Sequence, residues 1–175
     1  MLKPPVNTHD HTSGSKEGAV TLVEYGDYQC PHCGHAYPII KRIQKEAGEG
    51  LQFVFRNFPL SEAHPDAFNA ALASEAAARQ DKFWEMHDML FENRDALSIN
   101  ELVSYAESIG MDTRQFAADM NDKDISGKVD NDFESGIKSG VNGTPTFFIN
   151  GIRFNGDWSG REFVDALNEA GEAKS

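Results

Sequence analysis

Apolar positions along the chain follow two rhythms. Ala19 to Tyr25 is a β-branched, apolar run without a breaker, and Leu51 to Phe58 is a second one, stopped by Pro59. Thr146 to Ile149 is a third, and Asn150-Gly151 makes a two-residue hairpin turn into Ile152, Arg153 and Phe154. These runs predict strands. Between the first two, Ile39, Ile40 and Ile43 recur at helical spacing and predict a helix from about Cys30 to Ala47, ended by Gly48 and Gly50. Pro38 falls inside it and predicts a kink, because an interior proline removes one hydrogen bond.

From Pro59 to Gly140 the period is helical throughout. Phe68, Leu72 and Ala76 share a face, and Phe83, Trp84, His87, Leu90 and Phe91 form a second stripe. Ser98 and Glu101 make a capping box before Leu102, Val103, Ala106 and Ile109. Asp112 or Thr113 caps a short helix with Phe116 and Met120, and Ile125, Val129, Phe133 and Ile137 repeat every four residues. A final helix opens at Ser159 or Gly160 and carries Phe163, Val164 and Leu167. A parallel strand-to-strand crossover needs one helix, so five predict an inserted all-helical subdomain. The expected organisation is an α/β core from 19–60 and 141–175, with the insertion at 61–140. Residues 1–18 are polar and rich in breakers, and predict a disordered arm or linker.

The candidate chemistry lies where the first strand hands over to its helix. Cys30 and Cys33 are the only two cysteines, separated by Pro31 and His32. A Cys-x-x-Cys pair at that place reads as a redox motif. His32 and His35 add possible metal ligands, but a run this tight does not easily wrap a tetrahedron, and no metal is expected. The first helical turn offers unpaired N–H groups and the positive end of the dipole, which favour a thiolate at Cys30. Pro31 suits the first helical position, and His32 adds a donor or a positive charge. Cys30 is expected to be exposed and to attack, and Cys33, one turn in, to be shielded and to resolve. A stabilised thiolate favours the reduced pair, so Pro-His between the cysteines argues for an oxidant.

Three further positions have two readings each. Glu24 shares a face with Leu22 and is either a buried carboxylate exchanging a proton with Cys33 or a residue paired to solvent or a lysine. Asp27 is a weaker rival for that role and more simply a turn residue; His64 and His87 read as structural or solvated. Thr144-Pro145 precedes a strand and is either a cis bond or an ordinary trans proline.

Val23-Glu24-Tyr25, Cys30-Pro31-His32-Cys33 and Val141-Asn142-Gly143-Thr144-Pro145-Thr146-Phe147-Phe148 together resemble the DsbA-like thiol–disulfide oxidoreductases of the thioredoxin superfamily. The resemblance covers about residues 19–170. It implies a thioredoxin-like core, a central mixed sheet flanked by helices, carrying the helical insertion. It implies the proton role for Glu24 and a cis Pro145 beside the cysteines, with Thr144 and Pro145 holding an extended substrate. The expected partners are protein thiols or disulfides and an unidentified redox partner for regeneration. The cysteine pair needs no cofactor. A reductase or isomerase on the same fold is the alternative, and a redox-inactive metal-binding or adaptor module a more distant one.

The net charge of −12 argues against nucleic acid, whose phosphates call for basic patches. No apolar run approaches the about 18 residues that span a bilayer, so no membrane insertion is expected. Residues 1–18 lack the apolar stretch of a signal peptide, and the chain as written is expected to be cytoplasmic. The alternative is a mature or truncated periplasmic or extracytoplasmic form, since persistent disulfides belong outside the cytoplasm.

Overall fold

A computed structural model describes residues 1–174. Its elements run β1 (His11–Gly14), β2 (Val20–Gly26), α1 (Pro31–Ala47), β3 (Leu51–Asn57), α2 (Ala67–Ala78), α3 (Phe83–Glu92), α4 (Ile99–Ser108), α5 (Thr113–Asp119), α6 (Lys123–Lys138), β4 (Thr146–Ile149), β5 (Ile152–Arg153) and α7 (Arg161–Glu172). The sheet has the order β1-β3-β2-β4-β5. β2 and β3 are parallel and joined through α1, while β4 pairs antiparallel with β2 and β5 with β4.

Both faces of the central strands are covered, which is why β2 and β3 read as near-continuous apolar runs. Val20, Leu22, Phe53, Phe55, Phe147 and Ile149 pack into one core with Cys33, Ala36, Ile40 and Phe163. Val23, Tyr25, Val54 and Phe148 face the other side, against Phe58, Val141 and Leu2. Asn150 and Gly151 both take positive φ, 49° and 83°, as a tight hairpin requires. Helix α1 continues as a helix through Pro38.

Helices α2 to α6 form the inserted block; α2 to α5 pack on the Leu22 and Phe53 side of the sheet, and α6 reaches Tyr25 and Phe58 on the other through Ser135 and Phe133. The Asn57 N–H at the end of β3 donates to Asp132 Oδ2 on α6 at 3.0 Å. His87 on α3 is 4% exposed and its Nδ1 lies in hydrogen-bond contact with the Tyr28 hydroxyl at 2.9 Å; burial depresses its pKa to about 3, so it stays neutral. It is a structural residue of the aromatic core.

Residues 1–18 depart from expectation. They form no free arm. His11 to Gly14 pair antiparallel with β3 as an edge strand, His11 opposite Phe55 and Gly14 opposite Gln52. Asp10 Oδ1 and Oδ2 each accept from the Arg56 guanidinium at 2.8 Å, and both side chains are nearly inaccessible, at 4% and 2%. His11 Nε2 bonds Glu75 at 2.8 Å and its ring stacks on Phe83. Backbone pairing and buried charge pairing hold this segment, in place of apolar burial along its length.

Candidate active site

Cys30 ends the β2–α1 loop as the N-cap of α1, and Pro31 fills the first helical position. Its Sγ lies 3.6 Å from the carbonyl oxygen of Thr144, which precedes β4; the Thr144–Pro145 bond is cis. The two halves of the site are thus brought together from positions 114 residues apart. Both cysteines are free thiols. Cys30 is 4% exposed and Cys33 0%. The expectation of an exposed Cys30 is corrected: the Thr144 loop covers its sulfur, while Pro31 and His32 beside it stand in solvent.

The charges are strongly uneven. The Cys30 thiol is lowered from 9.0 to about 5, first by the hydrogen bond from Cys33. Burial opposes this, and the backbone N–H groups of Cys33 and His32 add to it. Thr144 Oγ1 is buried without a hydrogen-bond partner among the described residues. His32 thus acts on Cys30 through its backbone N–H, and its ring makes no hydrogen bond among the described residues. Cys33 is pushed well up by burial, by its bond to Cys30 and by the charges of Glu24 and Cys30; the Asp27 N–H, 3.5 Å from Cys33 Sγ, opposes that. One sulfur is therefore a thiolate at neutral pH and the other a thiol.

Glu24 is 2% exposed and lies on the Leu22 face, as strand alternation places it. Burial, with the charge of Cys30, raises its pKa from 4.5 to about 8. Its Oε1 has no hydrogen-bond partner among the described residues. It lines a cavity of about 40 Å³ with Tyr37, Lys41, His87 and Asp88. Lys41 and Asp88 form a partly exposed ion pair at 3.2 Å.

Asp27, read as a turn residue or a weaker rival of Glu24, and His64, read as structural or solvated, meet beside the cysteines. Asp27 is wholly buried and bonds both the Cys30 N–H and His64. Nothing in the spacing of Asp27 and His64, 37 residues apart, signals that contact.

A thioredoxin family model matches residues 6–169. The Na(+)/H(+) antiporter NhaA 1 of Mycolicibacterium vanbaalenii is 42% identical over 173 residues, 98% of this chain and 28% of that protein. The chain spans about a quarter of the length of the curated relatives it matches. A thioredoxin-like oxidoreductase from Silicibacter pomeroyi superposes with a TM-score of 0.82 at 27% identity, over 95% of this chain and 94% of that one. Oxidised BdbD from Bacillus subtilis shares the fold, with a TM-score of 0.83 at 24% identity over 96% of each chain. No helix of the described residues is long and apolar enough to cross a membrane. The family match along nearly the whole chain, with a cysteine pair held this way on this sheet, places the chain in the thioredoxin family.

Proposed function

We propose that the protein donates disulfides to protein thiols. A substrate thiolate attacks Cys30 Sγ in the oxidised pair; the Cys30–Cys33 bond breaks, a mixed disulfide forms and Cys33 leaves as a thiolate. Glu24 gives that sulfur a proton. A second substrate thiolate then attacks the substrate sulfur, the substrate disulfide forms and Cys30 leaves as a thiolate. Two electrons pass from substrate to the pair, and a separate redox partner must remove them. Thr144 supports the docking role proposed for it with Pro145: neither its N–H nor its C=O has a backbone partner among the described residues, so both can pair with an extended substrate. The His32 ring, in solvent beside Cys30, adds positive charge when protonated. Glu24 exchanges its proton with solvent through the small cavity toward Lys41 and Asp88, which has room for a water molecule.

The observation that carries the donor direction is the convergence of hydrogen-bond donors on Cys30. They stabilise the leaving thiolate of the reduced pair. Lowering the thiol from 9.0 to about 5 favours the reduced form at pH 7 by about 3 kcal/mol, or about 60 mV. Equilibration with glutathione buffers at pH 7 tests this. The expected potential is less negative than about −200 mV, in the range of disulfide donors and isomerases. A value near about −270 mV, where reductases lie, would transfer the assignment to the reductase.

The match to antiporters along nearly the whole chain supports a second proposal about the partner. The thiols served include those of a membrane transport protein.

A further inference from the structure

The Asp27 carboxylate has no exposed surface and accepts four hydrogen bonds. Oδ1 takes the backbone N–H of Gln29 at 2.7 Å and of Cys30 at 3.2 Å. Oδ2 takes the N–H of Leu60 at 2.9 Å and His64 Nδ1 at 2.7 Å. A carboxylate only accepts, so His64 carries its proton on Nδ1. The bonds join the loop before α1 to the loop between β3 and α2. Gln29 and Asp66 add a second stitch: the Asp66 N–H donates to Gln29 Oε1 at 2.8 Å. The Asp27 backbone is thereby held from both sides, and its own N–H points at Cys33 Sγ, 3.5 Å away.

That N–H has a distinct task. Charge on Cys33 is opposed by burial, by the bond to Cys30 and by the charges of Glu24 and Cys30, and the Asp27 N–H works against all of these. Cys30 draws on other donors: the Cys33 thiol and the N–H groups of Cys33 and His32. We propose that His64 and Asp27 form a positioning pair for the resolving cysteine, holding the Asp27 N–H on Cys33 Sγ to stabilise the negative charge that sulfur carries whenever the Cys30–Cys33 bond forms or breaks. His64 touches neither sulfur and acts through Asp27. Loss of the His64 bond leaves the buried carboxylate without a side-chain donor.

The inference rests on the redox reading of the cysteine pair, and its test separates the two. Reduced protein is mixed with glutathione disulfide and quenched with acid at intervals. In the first phase the Cys30 thiolate attacks one glutathione sulfur, the glutathione disulfide breaks and one glutathione thiolate leaves. Its rate rises with glutathione disulfide concentration. In the second, Cys33 gives its proton to Glu24 and attacks Cys30 Sγ; the Cys30–Cys33 bond forms and the second glutathione leaves as a thiolate. Its rate does not depend on concentration.

His64→Ala should slow the second phase about tenfold and leave the first within about twofold. His64→Asn, which returns an N–H donor at similar reach, should restore most of the second-phase rate. An unchanged second phase in His64→Ala overturns the positioning role, and so does equal slowing of both phases, which reports general loosening. If the wild-type protein forms no mixed disulfide at all, the redox reading fails instead.

Discussion

Cys33→Ala should turn the protein into a covalent trap, while Cys30→Ala should lose exchange by at least about a hundredfold. The asymmetry follows from the two sulfurs' surroundings. Cys30, with a pKa of about 5, is almost wholly thiolate at neutral pH, whereas an ordinary thiol near 9.0 is ionised to about one part in a hundred. Cys33 is fully buried and pushed further up, so alone it is a sheltered, protonated thiol. With Cys30 intact and Cys33 absent, attack on a substrate disulfide proceeds but no internal thiol resolves the product. Non-reducing electrophoresis after incubation with cell extract should show adducts for Cys33→Ala and none for Cys30→Ala. Adducts recovered in the membrane fraction would support the transport-protein proposal. More adducts with Cys30→Ala would reverse the roles; wild-type activity in both variants would remove the redox function altogether.

The stability of the two redox forms should cross as pH changes. The lowered Cys30 pKa exists only in the reduced fold. A depressed acid contributes stability that is complete above its unfolded pKa and vanishes as pH falls through its folded pKa. With values of 9.0 and about 5, the contribution is about 3 kcal/mol at pH 7 and near zero at pH 5. The disulfide opposes it: closing a four-residue loop restrains the unfolded chain by about 2 kcal/mol at any pH. Glu24 has the opposite sign. Its raised pKa contributes stability below 4.5 that is lost as pH rises through about 8. Its burial is common to both forms, and only the added Cys30 charge trims the margin of the reduced one. The reduced protein should therefore be the more stable by about 1 kcal/mol at pH 7, with the order reversed below about pH 6.5. Paired urea melts of the two forms across pH 5 to 8.5 read this directly. An oxidised form that stays the more stable at every pH would remove the thiolate stabilisation on which the donor role depends.

Legibility in the sequence followed the range of the interactions. Strands β2, β3 and β4 and helix α1 declare themselves by local period, because Leu22, Phe53, Ile40 and Phe147 meet one shared core. Glu24 was placed by alternation alone, since a period of two fixes its face once Leu22 is buried. The cysteine pair is legible because its spacing is its chemistry. Strand β1 is not: His11, Thr12, Ser13 and Gly14 have no apolar pattern, and their place depends on β3 and on Asp10 meeting Arg56 across 46 residues. The covering of Cys30 by Thr144 and the bond from His64 to Asp27 are likewise products of tertiary approach. Local propensity carries no trace of either.

One cysteine of the pair should be a stabilised thiolate in the folded, reduced protein. Thiolate absorbance in the ultraviolet, followed against pH with the oxidised protein as blank, measures it. A single thiolate should appear with a midpoint near pH 5, and no second one below pH 9. A midpoint close to the ordinary 9.0, or two thiolates rising together, would mean that neither sulfur is singled out for stabilisation and would remove the basis of the donor role.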